Sequence, residues 1–495
     1  MNNRVCLISF YNAKALGIVY LENALRLAGY EVTVIFFKKF NNICPKAVST
    51  AELDHLCALI KEQNPVAIGL SVMASLYLDT VRQVSRQLRE TFPIPIVWGG
   101  VTPTMFPKES MDDADFVVRG EGEEALVELV NALNTGQPAF SQIQNLVYRD
   151  GDVIHENPLR ELQTELDQYG FPTLGGSNKY LIEDDLIKNT DPGIDSYSYE
   201  LTCSRGCPFA CSYCCTINLR RIQTGRGRYV RFREVDKVIE ELRIAKSKMK
   251  NLKFIRFWDE IFCDDAAWID EFSARYKKEI NLPFEIWGHP LRCDDHLIAK
   301  LKMAGLYKVV MGIQSGSPYI RKEVFNRPEK QEEIIAASRV LAKYKVPQVI
   351  YDFMLRHPFE THATLRETYD LCLQLALPFE LQMHGLNFLP GTDIVQKAID
   401  QNLVSPEEME RMMSAPMQEQ YNMHWKREAS DPVMNYIYKL IYLTQFPVYR
   451  KKLDTLSGDP TSEKNRIKLD KLYKRATYRA KLRYLYRRGV LMLKR

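Results

Sequence analysis

Residues 203–215 read CSRGCPFACSYCC and hold five of the chain's 11 cysteines. Cys207, Cys211 and Cys214 follow the spacing C-x3-C-x2-C, in a loop directly after a strand-like run. Gly206 and Pro208 favour a tight turn that draws three sulfurs together. Three thiolates from one short loop suit three irons of a four-iron, four-sulfur cube, whose usual complement is four cysteines. The fourth iron is then open to another ligand, as a metal centre that binds a substrate requires. Zinc fits less well, because none of the eight histidines supplies a second ligand pair. Cys203 ends the strand and is expected to pack under the loop, and Cys215 to point away as Cys214 binds. Cys6, Cys44, Cys57, Cys263, Cys293 and Cys372 are scattered.

What flanks this loop sets the fold. From residue 196 onward, strand-like runs (YSYELT, LKFIRFW, FEIWG, YKVVMGI, PQVIYDFML, ELQMHGLNFL) alternate with helical patterns at 232–249, 265–279, 294–304, 330–345 and 361–376. Six such units predict a partial (β/α)6 barrel over 196–401, with its site at the carboxyl ends of the strands. Residues 1–140 alternate in the same way, from RVCLISF (4–10) to EEALVELVNAL (123–133). Continuous apolar strands separated by helices predict a doubly wound, Rossmann-like parallel sheet. Residues 141–195, rich in Gly, Pro, Asn and Asp, read as a connector with a small strand signal at QNLVYRDGDVI (144–154), and 402–495 as a helical C-terminal region. The whole is an α/β chain.

Length (495 residues) implies several domains, and the absence of an apolar leader or spanning run leads us to expect a cytoplasmic protein. In that compartment clustered thiols point to metal or redox use. The net charge of +5 is uneven: residues 461–495 carry +11 and the rest −6. In that tail Leu469, Leu472, Tyr473 and Ala476 form one helical stripe amid Lys and Arg. Such a helix fits either an anionic membrane surface, which would make the protein peripheral to it, or a seat on the barrel. Nothing in the body favours nucleic acid.

The stretch RGCPFACSYC resembles the signature of the radical S-adenosylmethionine (SAM) enzymes, and the resemblance extends over roughly 196–400. It implies that the open iron is chelated by SAM, which one-electron reduction cleaves to a 5′-deoxyadenosyl radical. An electron donor such as flavodoxin or ferredoxin would supply that electron. By the same resemblance Tyr213 lies against the adenine. RFWDEIF (256–262) implies Asp259 and Glu260 as acceptors for the SAM ammonium. GIQSGS (312–317) implies Gln314 and Ser315 at the ribose and carboxylate, with Gln replacing the more usual Glu. Arg292 would meet a carboxylate. FMLRHPFET (353–361) departs from the common pattern, since Arg356, His357 and Phe359 stand where small residues are usual. FLPGT (388–392) matches the sixth strand ending.

The first domain resembles the cobalamin-binding domain placed ahead of many radical SAM enzymes. Ser71 and Met73, then Gly99 and Gly100, then Gly120, Glu121 and Gly122 mark the strand ends that would open a slot for the nucleotide tail. The D-x-H-x-x-G motif of methionine-synthase-type domains is replaced by YNAKALG (11–17), so no histidine would bind cobalt from below. Tyr11 and Asn12 either face the corrin or cap the first helix.

These resemblances imply a cobalamin-dependent radical SAM enzyme with a 4Fe-4S cluster. It would act on an unactivated carbon of a small, natural-product-type substrate, most readily as a methyltransferase using two SAM molecules per turnover. Relatives that cyclise, oxidise or rearrange keep a non-methylating alternative open. A tRNA methylthiotransferase would need Cys6, Cys44 and Cys57 for a second cluster and a β-barrel end. A non-catalytic cobalamin or redox sensor would need Cys203 or Cys215 to close the open iron.

Overall fold

The computed structural model describes residues 2–39, 46–262, 265–425 and 430–493; Cys44 and Cys263 lie outside them. Nine strands form the first sheet: β1 (Arg4–Phe10), β2 (Glu31–Phe37), β3 (Ala67–Ser71), β4 (Ile96–Gly99), β5 (Phe116–Val118), β6 (Leu146–Asp150), β7 (Val153–Glu156), β8 (Lys179–Glu183) and β9 (Leu186–Asn189). Their order is β7-β6-β5-β4-β3-β1-β2-β8-β9. β1 and β2 bury every residue after the first, as strands covered on both faces must. Ile8, Ile35 and Ile68 pack with one layer of helices, Leu7, Val34 and Val97 with the other. Each such side chain contributes about 1.5–3 kcal/mol through burial. β1 and β3 pair directly while β2 lies on the other side of β1. That reversal of strand order opens a crevice at the carboxyl ends.

The expected connector is largely part of this sheet. β6 and β7 extend one edge antiparallel to β5, and β8 and β9 extend the other. Residues 141–195 are therefore two sheet margins joined by loops, a correction to the linker reading.

The second sheet holds β10 (Ser198–Leu201), β13 (Phe254–Phe257), β14 (Phe284–Gly288), β15 (Leu306–Gln314), β16 (Gln348–Leu355) and β17 (Glu380–Gly385), all parallel and in that spatial order. A two-stranded ribbon, β11 (Ser204–Arg205) with β12 (Arg231–Phe232), lies beyond β10. Ile286, Met311 and Phe353 face the helices, so Glu285, Lys308, Val310 and Asp352, alternating with them, face the lumen. β10 and β17 are the outer strands, and the barrel stays open between them. The helix Pro432–Leu443 and the tail helix Glu463–Leu493 lie on the β17 side, with Leu440, Ile441, Leu469, Leu472 and Ala476 in the barrel core. The tail stripe is thus seated on the barrel. No helix among the described residues is long and apolar enough to cross a membrane.

Polar contacts join the two halves. Lys14 reaches Glu200 (2.8 Å) and the Ser198 hydroxyl (3.0 Å), while Arg205 and Arg231 pair with Glu123 and Glu121. The sheets are held with their carboxyl ends toward each other.

Candidate functional site

Gly206 has φ +91, and a side chain there would collide with the Tyr229 carbonyl, so the turn before Cys207 demands glycine. The loop is then fastened from below. The Ser212 amide donates to the Phe325 carbonyl (3.0 Å), its hydroxyl to Val324 (2.6 Å), and the Ile394 amide donates to its carbonyl (2.9 Å). Cys207, Cys211 and Cys214 remain partly accessible on this loop, whereas Cys203 is fully buried in the barrel core. Among the described residues no three thiol, imidazole or carboxylate groups converge as on a single ion. Three partly accessible thiols spread over one loop instead fit separate corners of an iron–sulfur cube.

Burial pushes the Cys207 thiol up to about 12 and raises that of Cys211, against the nearby Arg327 cation. Cys214 goes the other way, to about 6, chiefly because the Cys215 thiol donates to it. Cys215 lines an apolar cavity described below.

The acid pair divides. Asp259 is 2% exposed and accepts hydrogen bonds from the Cys203 amide (2.9 Å) and the Ser204 hydroxyl. Burial pushes its carboxyl up to about 7. One oxygen braces the loop, while Oδ2 is buried without a partner. Glu260 accepts from the Gly206 amide, is raised by burial, and lies in the field of Cys214. Consecutive residues leaving a strand point to opposite sides, so only one of the two can face the thiols.

Tyr213 packs edge-on against Phe325 and accepts from Arg327 (2.9 Å). Sequence reasoning missed Arg327, which is 5% exposed and lies 4.0 Å from the Cys211 sulfur. It also donates to the Gly312 carbonyl (2.7 Å) and is paired with Glu329. His289, 3.4 Å from Glu329, stacks on Phe209 of the loop at 3.8 Å. Arg292 ends the turn beside His289. The only sequence signal for this network was a charged R-P-E after the fourth barrel strand. Gln314 sits at a β-bulge with φ +68, its Oε1 buried and without a partner. Ser315 is 1% exposed, and its hydroxyl accepts from the Ser317 amide (3.2 Å), so it shapes the turn rather than opening on the site.

On the first sheet, a cavity of about 310 Å³ lies at the strand-order reversal. Ser71, Met73, Gly99, Gly100, Gly120, Glu121 and Gly122 all line it, and no histidine does. Gly100 has φ +110, and a Cβ there would stand 2.9 Å from the Val72 carbonyl oxygen. Gly69, missed in the sequence, opens the slot between β1 and β4. Glu121 is paired with Arg231 and Arg205 (3.3 Å), so it ties the slot to the barrel. Tyr11 is 2% exposed, stacks on Tyr77 at 4.9 Å and donates to the Lys46 carbonyl (2.7 Å), so it does not face this cavity. Asn12 accepts from the Lys14 amide. A second, largely apolar cavity of about 230 Å³ shares Met73 with the first and reaches Cys215, Leu389 and Pro390. It lies beside the glycine slot and ends next to the thiol loop, at Cys215.

At the end of β16, Arg356 occupies left-handed backbone (φ +58), which costs a non-glycine residue about 1 kcal/mol or more. His357 is buried, and burial lowers its imidazole to about 3. Glu360 accepts from the Tyr438 hydroxyl (2.7 Å) and the Arg356 amide (2.6 Å), and burial pushes it up to about 7. An acid raised in the folded chain stabilises it fully below its unfolded value, near 4.5, and loses that contribution as pH climbs through 7. The Glu360 contribution to stability is expected to fall over this window by on the order of 3 kcal/mol, read as the change with pH in the difference between wild type and Glu360→Gln. Thermal melts across pH 4.5–8 (roughly the span of the two values) measure it.

Comparison with known proteins agrees with this geometry. Residues 8–130 match the B12 binding domain family and residues 201–372 the Radical SAM superfamily. The uncharacterized methyltransferase PH0819 of Pyrococcus horikoshii is 26% identical, covering 77% of this chain and 76% of its own. An anaerobic magnesium-protoporphyrin IX monomethyl ester cyclase of Cereibacter sphaeroides is also 26% identical, over 71% of this chain and 55% of its own. The radical S-adenosylmethionine methyltransferase TsrM of Kitasatospora setae, solved with cobalamin and a 4Fe-4S cluster, shares the fold. Its TM-score is 0.66 at 15% identity, over 97% of this chain and all of that one.

Proposed function

The chain belongs to the radical SAM enzymes that carry a B12 binding domain, and on that premise we propose that it methylates an unactivated carbon of a small organic substrate. Its cofactors are cobalamin, a 4Fe-4S cluster and SAM. When bound, these supply a carried methyl group, a single electron and a hydrogen-abstracting radical. The observation that supports the reading is the adjacency of the two sites. Met73 lines both the glycine slot and a second, apolar cavity that reaches Cys215, the residue after Cys214.

In this scheme Cys207, Cys211 and Cys214 hold the cluster. Glu260, beside the Gly206 amide, accepts the SAM ammonium, and the orphan Gln314 Oε1 takes a second donor from SAM. Arg327 fixes the Tyr213 ring that lies against adenine, and Arg292 meets the carboxylate. The helix Met417–Trp425, which packs Met417 on the first sheet and contacts β17, covers the barrel mouth and keeps water out. Electrons come from a flavodoxin- or ferredoxin-type donor. The exposed Tyr478, Leu482, Leu485 and Tyr486 of the basic tail meet anionic lipid. Loss of liposome flotation on charge reversal at Lys474 and Arg475 is the expected result, and no flotation of the intact chain refutes that contact.

Product analysis tests the activity. Anaerobically reconstituted protein with SAM, reductant, methylcobalamin and extract of the producing cell is expected to form both S-adenosylhomocysteine and 5′-deoxyadenosine. Deoxyadenosine without adenosylhomocysteine would instead support the cyclase-type reading that the Cereibacter relative represents.

A further inference from the structure

Between Thr202 and Arg233 the chain carries seven arginines and no acid. Three of them turn inward: Arg205 and Arg231 pair with Glu123 and Glu121, and Arg233 pairs with Asp167 and Glu241. The other four, Arg220, Arg221, Arg226 and Arg228, lie on the helix Cys215–Ile222 that follows the thiol loop and on the turn after it. Arg220, Arg221 and Arg228 are exposed.

This run lies against the loop on both flanks. The Arg220 guanidinium donates to the carbonyl of Pro208 (3.0 Å), the exposed residue next to Cys207. On the other flank the Tyr229 carbonyl is the atom that forbids a side chain at Gly206, so the segment carrying Arg228 abuts the turn before Cys207. The acids here are few and already engaged. Asp393 is paired with Arg221 (2.6 Å) and also feels Lys397, and Glu161 stands 3.9 Å from Arg226. Among the described residues no carboxylate pairs with Arg220 or Arg228.

We propose that this face, centred on Arg220 and Arg228, docks an acidic one-electron carrier protein of the flavodoxin or ferredoxin type. The carrier gives up one electron and the cluster held by the three thiolates takes it, with no bond made or broken. This deepens the reading above and rests on it. Two observations carry it: the excess positive charge fits an acidic surface, and it stands where the thiol loop meets solvent at Pro208. Electron-transfer encounters bury little area, and charge sets their orientation and rate, so a few well-placed arginines suffice. The tail of residues 461–495 is more basic (+11), but it is seated along β17, at the opposite edge of the barrel sheet from β10, which leads into the loop.

The test titrates oxidised flavodoxin and, separately, a 2Fe-2S ferredoxin into the cobalamin-loaded, cluster-reconstituted full chain, by calorimetry at low and at high salt. At least one carrier is expected to bind saturably, and salt to weaken it. Arg220→Glu and Arg228→Glu are each expected to weaken that binding at least about tenfold. Charge reversal at Lys474 and Arg475 of the tail is expected to change it less than about twofold, because exposed charges far from the contact are screened. Iron content and dithionite-driven SAM cleavage are expected to stay at the wild-type level in both arginine variants, since a small reductant needs no docking face. Because Arg220 holds the Pro208 carbonyl, Arg228→Glu is the variant that leaves the loop's own bonds in place. Wild-type affinity in both arginine variants, loss of binding on tail reversal, or no saturable, salt-sensitive binding of either carrier would overturn the proposal. Carrier binding without any dithionite-driven cleavage in the wild type would instead fail the radical SAM reading on which the proposal rests.

Discussion

Cys211→Ala is expected to leave the folded chain without a stable cluster, and SAM cleavage to fall by more than about 100-fold. That bound is conservative, because groups one shell out from a metal already cost 10–100-fold when removed. Cys211 has the buried Arg327 guanidinium 4.0 Å from its sulfur, so its loss removes a thiolate from the field of that cation, which Glu329 still pairs. Cys203→Ser makes the contrast. Cys203 is fully buried in the barrel core, so a hydroxyl there lowers stability by about 1–3 kcal/mol while iron content and cleavage persist. Cys215→Ser is expected to keep its iron too. Iron and sulfide assays after anaerobic reconstitution separate the three variants. Full iron retention by Cys211→Ala would remove it from the ligand set.

Gly99→Leu is expected to abolish cobalamin retention while leaving the barrel and its cluster intact. Gly99 ends β4 in the slot, and a Cβ there meets nothing closer than the Val118 carbonyl at 3.8 Å. The strand therefore tolerates a side chain, but leucine occupies part of a cavity of about 310 Å³. Steric exclusion from so small a slot should weaken binding by about 100-fold or more, or some 3 kcal/mol. The visible spectrum of the cobalamin-reconstituted variant checks this, with iron content as the control. Gly100→Leu is a poorer probe, since φ +110 and the Val72 carbonyl at 2.9 Å would damage the fold as well.

Both sheets were legible because their central strands are continuous apolar runs, which a helix-covered parallel sheet requires. The margins were legible only in part. QNLVYRDGDVI marked β6 and the start of β7, but β8 and β9 went unread, and β9 is exposed along all four residues and so lacks the apolar signal that marks a strand. The cluster loop and the glycine slot could be read because their residues recur at short spacing or at strand ends. The Arg327–Glu329–His289 network could not, since it gathers residues from separate segments that meet only in the folded barrel. Tyr11 was left open between corrin and helix cap, and its left-handed backbone (φ +51) turns it into the core instead.

The central claim is that three cysteines, not four or five, hold the cluster, and that the remaining iron position belongs to SAM. Electron paramagnetic resonance of the reduced, reconstituted chain tests it most directly, recorded before and after SAM is added. The account predicts a clear change in the spectrum on SAM addition, in the wild type and equally in Cys203→Ser and Cys215→Ser. A spectrum that SAM leaves unchanged in the wild type, but alters once Cys203 or Cys215 is replaced, would mean that the chain closes its own cluster, and would contradict the account.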